Sequence, residues 1–368
     1  MVLADLNLNQ FINQSIDIDE LLIFCTENKC SDLYIKVGKV PYITRFGQIY
    51  KLPSLKITEK IWNTWAKFAI SSEDNSKYVT QKMLDTSYVV ETYDGKLIKP
   101  NEMDKAIGEL KEYRYRVSCG FSTGKNIATF RMISTELPSF KTLDFPEYEF
   151  NALKQVARLK TGITMLVGPT GSGKTTTMTA AINDFTKRGE PMSNSVVITL
   201  EDPIEYIYDD ESLYSNIMQK ELGKDFKTFA SGIKQALREH PNFINVGETR
   251  DNETIKALVE ASRTGHGVFT SYHASDVADA ISRIYNSLVS TNPEIMYDLI
   301  SNINMILCQR IKANGAKFKL ETQYLIFNQS IVSHLNGEIE KGRNIPSVIK
   351  GLFENKKLID SRLAKNWS

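Results

Sequence analysis

Residues 168–175 read GPTGSGKT, and no other stretch restricts the fold of this 368-residue chain as strongly. The pattern Gly-x-x-x-x-Gly-Lys-Thr works only between a strand and a helix. There backbone N–H groups and a helix N-terminus converge on one anion. Both flanks suit it. GITMLVG (162–168) reads as a strand, and the next segment sets Met178, Ala181, Ile182 and Phe185 at helical spacing before Gly189. A phosphate-binding loop is therefore expected, with Pro169, Thr170, Gly171, Ser172, Gly173, Lys174, Thr175 and Thr176 around the phosphates. Lys174 is placed to neutralise the β- and γ-phosphates and the Thr175 hydroxyl to ligate Mg²⁺, so ATP and Mg²⁺ are the expected ligands.

Strands and helices alternate beyond the loop. SVVITL, NFINVG and GVFTSYH read as strands, separated by helices carrying Phe226, Phe229, Ile233 and Leu237 and then Ile255, Leu258 and Val259. Such alternation predicts an α/β domain on a parallel sheet covered on both faces. From Ala278 onward the chain reads as mostly helical. Upstream the pattern is different. Asp17 or Asp19 can cap a helix with Ile18, Leu21, Leu22 and Cys25 on one face, and SDLYIKV alternates as a half-buried strand does. YITRFGQIY, TSYVVETY, YRYRVSCGF and IATFRMIS add strands, and TEKIWNTWAKFAI adds a helix. These assign residues 1–135 to a smaller α+β domain, with residues 93–112 as a polar excursion between two strands. Residues 136–148 form the linker and residues 149–368 the second domain with a helical C-terminal extension.

Composition excludes some classes. Forty-five Lys and Arg against 44 Asp and Glu leave a formal net charge of +1, without the basic excess a nucleic-acid-binding domain carries. No apolar run reaches membrane-spanning length, and MVLADLNLNQ is not patterned as a signal peptide. Cys25, Cys30, Cys119 and Cys308 are scattered rather than paired in knuckles, so reduced thiols in a cytoplasmic protein are expected.

Three later clusters carry acids, histidines and arginines at strand ends. They are Glu201, Asp202 and Glu205 in VVITLEDPIEY, Glu248, Arg250 and Asp251 in FINVGETRD, and His266 and His273 in TGHGVFTSYHA. Singly they are weak, because a strand-end glutamate often caps a helix and a lone histidine often only packs. Their order is specific. GPTGSGKT, EDPIE, GETRD and TGHGVFTSYHAS, preceded by SDLYIKVGKVPYITRFGQI, YRYRVSCGF and FRMIS, resemble the secretion ATPases of the type II/type IV superfamily. The likeness is closest to their PilT-like branch. ISRIYNSL and CQRI fit that family's later helical segments. The helix MYDLISNIN stands where pilus retraction motors carry an arginine-containing box. Together with the 93–112 excursion and the tail beyond Leu320, this departure is similar to the DotB- and TraJ-type ATPases of type IVB secretion and conjugation.

The resemblance implies a RecA-like ATPase domain after a PAS-like N-terminal domain, assembled as a homohexamer. Such a ring hydrolyses ATP to drive type IVB secretion or conjugative transfer, with pilus retraction as the alternative. It also implies cytoplasmic machine components as partners, indirect membrane association and no direct contact with nucleic acid. By the same resemblance Glu201 and Glu248 share the catalytic work, Glu248 through Mg²⁺, and which of them is the general base stays open. His273 is implied as a γ-phosphate sensor, and Arg116 and Arg131 as guanidinium forks presented by the N-terminal domain. Arg250, Arg283 and Arg310 match family positions without individual roles. A small-molecule kinase would need an arginine-rich lid, and a nucleic-acid translocase a basic, aromatic pore loop; neither is present in the sequence.

Overall fold

Leu33, Ile35 and Val37 alternate with polar neighbours, and this period of two makes their segment a strand with one face in a core. The computed structural model describes residues 17–45, 48–53, 55–99, 101–102, 107–133, 137–208, 212–289, 294–314, 317–354 and 364–365. The N-terminal arm, the start of the linker, part of the 93–112 excursion and the tail cations Lys356, Lys357 and Arg362 lie outside the described residues. The chain divides into two units, Met1–Glu136 with Glu205–Ile207, and Leu137–Ile204 with Tyr208–Ser368.

The first unit begins with α1 (Ile18–Glu27), capped by Asp17, whose carboxylate accepts from the Asp19 amide at 2.8 Å. Then come β1 (Cys30–Lys36), β2 (Tyr42–Arg45), β3 (Gln48–Lys51), α2 (Glu59–Ala69), α3 (Ser72–Gln81), β4 (Leu84–Tyr93), β5 (Lys96–Leu97), β6 (Leu110–Ser122) and β7 (Lys125–Met132). The seven strands form one antiparallel sheet in the order β3-β2-β1-β7-β6-β4-β5. The helices bury their apolar stripes against it. Trp65 of α2 meets Phe130 of β7 edge-on at 5.1 Å and Tyr88 of β4 at 5.7 Å. Lys99, within the 93–112 excursion, pairs with Asp17 at 2.8 Å and with Asp19, tying that excursion to the start of α1. Burial pushes the Asp19 carboxyl above its ordinary range, with the Lys99 ammonium pulling the other way.

The second unit opens with α4 (Glu147–Ala157), β8 (Gly162–Val167), α5 (Lys174–Phe185), β9 (Val196–Glu201) and β10 (Asn216–Glu221). It continues through α6 (Phe229–Ala236), β11 (Phe243–Val246), α7 (Asn252–Arg263), β12 (Gly267–Tyr272), α8 (Val277–Val289) and α9 (Glu294–Asn302). The last elements are β13 (Ile303–Asn314), β14 (Lys317–Ile326), α10 (Gln329–Glu340), α11 (Ile345–Glu354) and β15 (Ala364–Lys365). The sheet order is β10-β9-β11-β12-β8-β13-β14-β15. The first six strands run parallel, and β14 and β15 close the edge antiparallel. α8 to α11 pack in the same apolar core as α6 and α7.

The structure corrects the mostly helical reading beyond Ala278. β13 and β14 form a long hairpin, and CQRI lies in β13 rather than in a helix. Ile303 and Met305–Cys308 are nearly continuous in apolar character, and that run suits a helix or a strand buried on both faces equally well. Parallel pairing of Met305–Cys308 with Thr164–Val167 decides it. The sheet is therefore mixed, not wholly parallel.

Phe130 is fully buried under Trp65. Phe130→Ala should destabilise the first unit by about 3–5 kcal/mol through lost burial and a residual cavity. Urea unfolding followed by tryptophan fluorescence measures it; an unchanged midpoint would contradict this packing.

Candidate functional site

β8 is buried along its whole length and leads into Gly168, whose amide donates to the Tyr272 carbonyl at the end of β12 (3.3 Å). A Cβ at Gly168 would lie 2.4 Å from the Gln309 carbonyl oxygen and 2.5 Å from Ser172 Oγ, so only glycine fits. Gly173, at φ +83°, turns the chain into α5. Lys174 opens that helix and its Nζ donates to the carbonyls of Gly168 and Pro169 at 2.9 and 3.0 Å. Burial holds the Lys174 pKa below its ordinary value, and the Glu248 carboxylate opposes that fall.

The loop has polar capacity to spare. Among the described residues the backbone N–H groups of Gly171 and Gly173 find no acceptor, and the buried Ser172 hydroxyl has no partner. Donors grouped at a helix N-terminus suit a phosphate chain. Gln309 of β13, 1% exposed, supports the loop by donating from Nε2 to the Ser172 carbonyl at 2.6 Å. Thr175 is exposed in the first turn of α5. Among the described residues no three His, Cys, Asp or Glu side chains converge on a metal. A Mg²⁺ ion fits here only as hydroxyl, phosphate and water ligands would hold it.

The neighbouring strands bring their carboxyl ends to the same edge, where open α/β sheets bind ligands. Glu201 ends β9 and is 8% exposed. Its Oε1 accepts from the Thr199 hydroxyl at 2.6 Å and from Gln219 Nε2 of β10 at 3.1 Å. Glu248 follows β11. Arg250 grips its Oε2 from Nε and Nη2 at 2.9 and 2.8 Å and reaches Asp202 Oδ2 at 3.2 Å. Arg250 thus links the tips of β9 and β11, a role that sequence alone left unassigned. His273 follows β12 and its Nδ1 lies 3.0 Å from the Gly168 carbonyl, against the loop. His266 stays at the other end of β12, where Nδ1 meets the Ala261 carbonyl at 3.0 Å and the Thr264 hydroxyl at 3.1 Å.

In the first unit, Arg116 and Arg131 are direct cross-strand partners on β6 and β7. Arg131 donates to Asp32 Oδ1 at 3.0 Å while its side chain stays 68% exposed. Glu205, grouped with this unit, has its carboxyl pushed up by burial against the attraction of both arginines. Arg283 pairs with Asp279 within α8, and Arg310 donates to the Ser275 carbonyl. The second unit therefore gathers the loop, Glu201, Glu248 and His273. Arg116 and Arg131 belong to the first. Thr199, Gln219 and Gln309 escape sequence reasoning. Thr199 shares a strand face with Glu201 at spacing two, whereas Gln219 and Gln309 arrive through long-range strand pairing that leaves no local signal.

The fold defines an α/β protein whose strand ends and glycine-rich loop share one sheet edge, and the comparisons give its family. The family described as "Type II/IV secretion system protein" matches residues 92–351, and the chain belongs to it. A twitching motility protein of Neisseria gonorrhoeae is 32% identical over 285 residues, covering 76% of this chain and 71% of that protein. The crystal structure of the Legionella pneumophila ATPase DotB superposes with a TM-score of 0.72 at 25% identity, covering 93% of this chain and 89% of that one. The pilus retraction motor PilT with bound ADP gives a TM-score of 0.72 at 27% identity, covering 92% and 93%. No helix among the described residues is long and apolar enough to cross a membrane.

Gly168→Ala should displace the loop from Gln309 and Ser172 at a cost of about 1–3 kcal/mol. Titration with a fluorescent ATP analogue should show a correspondingly weaker affinity; wild-type affinity would mean the loop tolerates a Cβ there.

Proposed function

We propose that this chain hydrolyses ATP as one subunit of a closed homohexameric ring that powers type IVB secretion or conjugative transfer from the cytoplasmic side. The observation that carries the reading is Glu201. It is a buried carboxylate on the strand edge that carries the loop, and one of its oxygens is aimed by Thr199 and Gln219. A carboxylate so fixed can orient and deprotonate a water in line with a terminal phosphoryl group.

The remaining roles follow from position. The loop amides and Lys174 hold the β- and γ-phosphates, and Lys174 exchanges its two loop carbonyls for phosphate oxygens. Mg²⁺, held by Thr175, the phosphates and water, with Glu248 behind it, would supply charge neutralisation at the transferring group. His273, whose ring rests on the Gly168 carbonyl, reports loss of the γ-phosphate through the loop it touches. Arg116 and Arg131 form a paired guanidinium surface suited to phosphate oxygens. Presented by a domain that closes on ATP and opens after hydrolysis, they would couple the chemical step to rigid-body motion. A head-to-tail interface that closes on itself makes a ring of such subunits.

The choice of machine rests on three departures, the MYDLISNIN helix without the arginine-containing box of retraction motors, the 93–112 excursion and the tail beyond Leu320. Cytoplasmic components of the export machine are then the partners, and they bring the ring to the membrane. Pilus retraction is the second reading, supported by the likeness to the Neisseria gonorrhoeae twitching motility protein.

ATP turnover per subunit, measured against protein concentration, tests the ring. It should rise steeply with concentration, and a flat profile would mean that each chain works alone. Glu201→Gln should keep ATP binding while lowering turnover by about 10²–10⁴-fold. Retained turnover in that variant moves the base to Glu248. Gln219→Leu removes the hydrogen bond from Gln219 Nε2 that helps aim Glu201. It should lower kcat with little change in KM; unchanged kcat would deny Gln219 a positioning role.

A further inference from the structure

The first unit holds a cavity of about 540 Å³ on the outward face of its sheet, beside the Asp32–Arg131 pair but lined by neither residue. Its walls include Lys36, Lys39, Lys51, Tyr34, Tyr42 and Thr129, and none of its lining residues is acidic. Elsewhere in this unit Lys99, Lys125 and Arg131 each meet a carboxylate. Lys36 is held instead by neutral groups, donating to Ser122 Oγ at 3.0 Å and Thr123 Oγ1 at 2.9 Å. Lys39 and Lys51 meet no carboxylate among the described residues. Asp32, the nearest acid on β1, is already engaged by Arg131. Three ammonium groups around one concavity give it a positive potential that favours an anion.

The tyrosines narrow the anion further. Tyr34 and Tyr42 are direct cross-strand partners on β1 and β2, and Lys51 of β3 is in turn the partner of Tyr42. Tyr34 is anchored by its hydroxyl, which accepts from Thr44 Oγ1 at 3.3 Å, and neither ring stacks on another aromatic among the described residues. Tyr42 is 41% exposed. Aromatic faces beside lysines match a flat heteroaromatic ring beside phosphate, and the volume is that of a small-molecule site rather than a polymer groove.

We infer that this cavity is a second nucleotide site, in which Lys36, Lys39 and Lys51 take the phosphates and Tyr34 and Tyr42 take the base. It is built wholly from residues of the first unit and does not depend on the hydrolytic reading of the loop at Gly168. A nucleotide bound here would set the conformational preference of this unit in response to the nucleotide pool, apart from turnover.

The test is titration of the full chain with the fluorescent nucleotide mant-ADP, read by polarisation. Lys174→Ala, which cripples the loop, should still bind one mant-ADP per chain. Adding Lys36→Gln, Lys39→Gln and Lys51→Gln should weaken that binding at least about tenfold, since each removes a charge-assisted contact. Lys51→Gln alone sits on the edge strand β3 and spares the core. It should weaken binding partially with an unchanged circular dichroism spectrum, which separates loss of the site from loss of the fold. No binding by Lys174→Ala overturns the proposal, as does retained binding that the lysine substitutions leave unchanged. Unlabelled ADP should displace mant-ADP far better than pyrophosphate; equal displacement would reduce the site to a bare phosphate site and overturn its assignment to nucleotides.

Discussion

Parallel pairing of β8 between β12 and β13 is the constraint on which the second unit depends. It aligns Val167 with Tyr272 and with Cys308, so Gly168 and His273, just past their strands, and Gln309, within β13, stand at one level. The loop is then held from both sides, by the Tyr272 carbonyl on the Gly168 amide and by the Gln309 amide on the Ser172 carbonyl. Parallel strands bury both faces, so this register is specified by apolar packing on each side and cannot slip without exposing it. The loop geometry is thus a consequence of the core.

Polar groups at the same edge are arranged by mutual restraint. Glu201 sits in a buried setting where an unpaired carboxylate would be costly, and the hydroxyl of Thr199 and the amide of Gln219 satisfy one of its oxygens. Glu248 is more exposed and is held by a guanidinium that also grips Asp202. Two glutamates one strand apart therefore differ in character. One is aimed by neutral donors, the other is charge-paired. This asymmetry distinguishes them physically, although EDPIE and GETRD look equivalent in sequence.

The first unit follows another logic. Its antiparallel sheet has one face under α1 and α2, centred on Trp65 and Phe130. The other face is free to carry charge and splits by row. Arg116, Arg131 and Asp32 form one row, and the tyrosine and lysine group lies beside it. Alternation along each strand delivers both sets to the same side while their neighbours build the core.

Sequence alone determined the loop, because GPTGSGKT needs a strand before and a helix after, and both flanks carry local periodicity. It determined α1, with the cap left between Asp17 and Asp19, the strand of Leu33, Ile35 and Val37, and the order of the strand-end clusters that places the chain in its family. Tertiary structure decided what local pattern cannot encode. The Ile303–Cys308 run became a strand because β8 offered it a parallel partner. Gln219 and Gln309 joined the site through strand pairing between residues far apart in the chain. Arg250 acquired a role when β9 and β11 brought Asp202 and Glu248 within its reach. Periodicity reports which face of an element is buried, but the partner that buries it is settled only when the whole sheet is assembled.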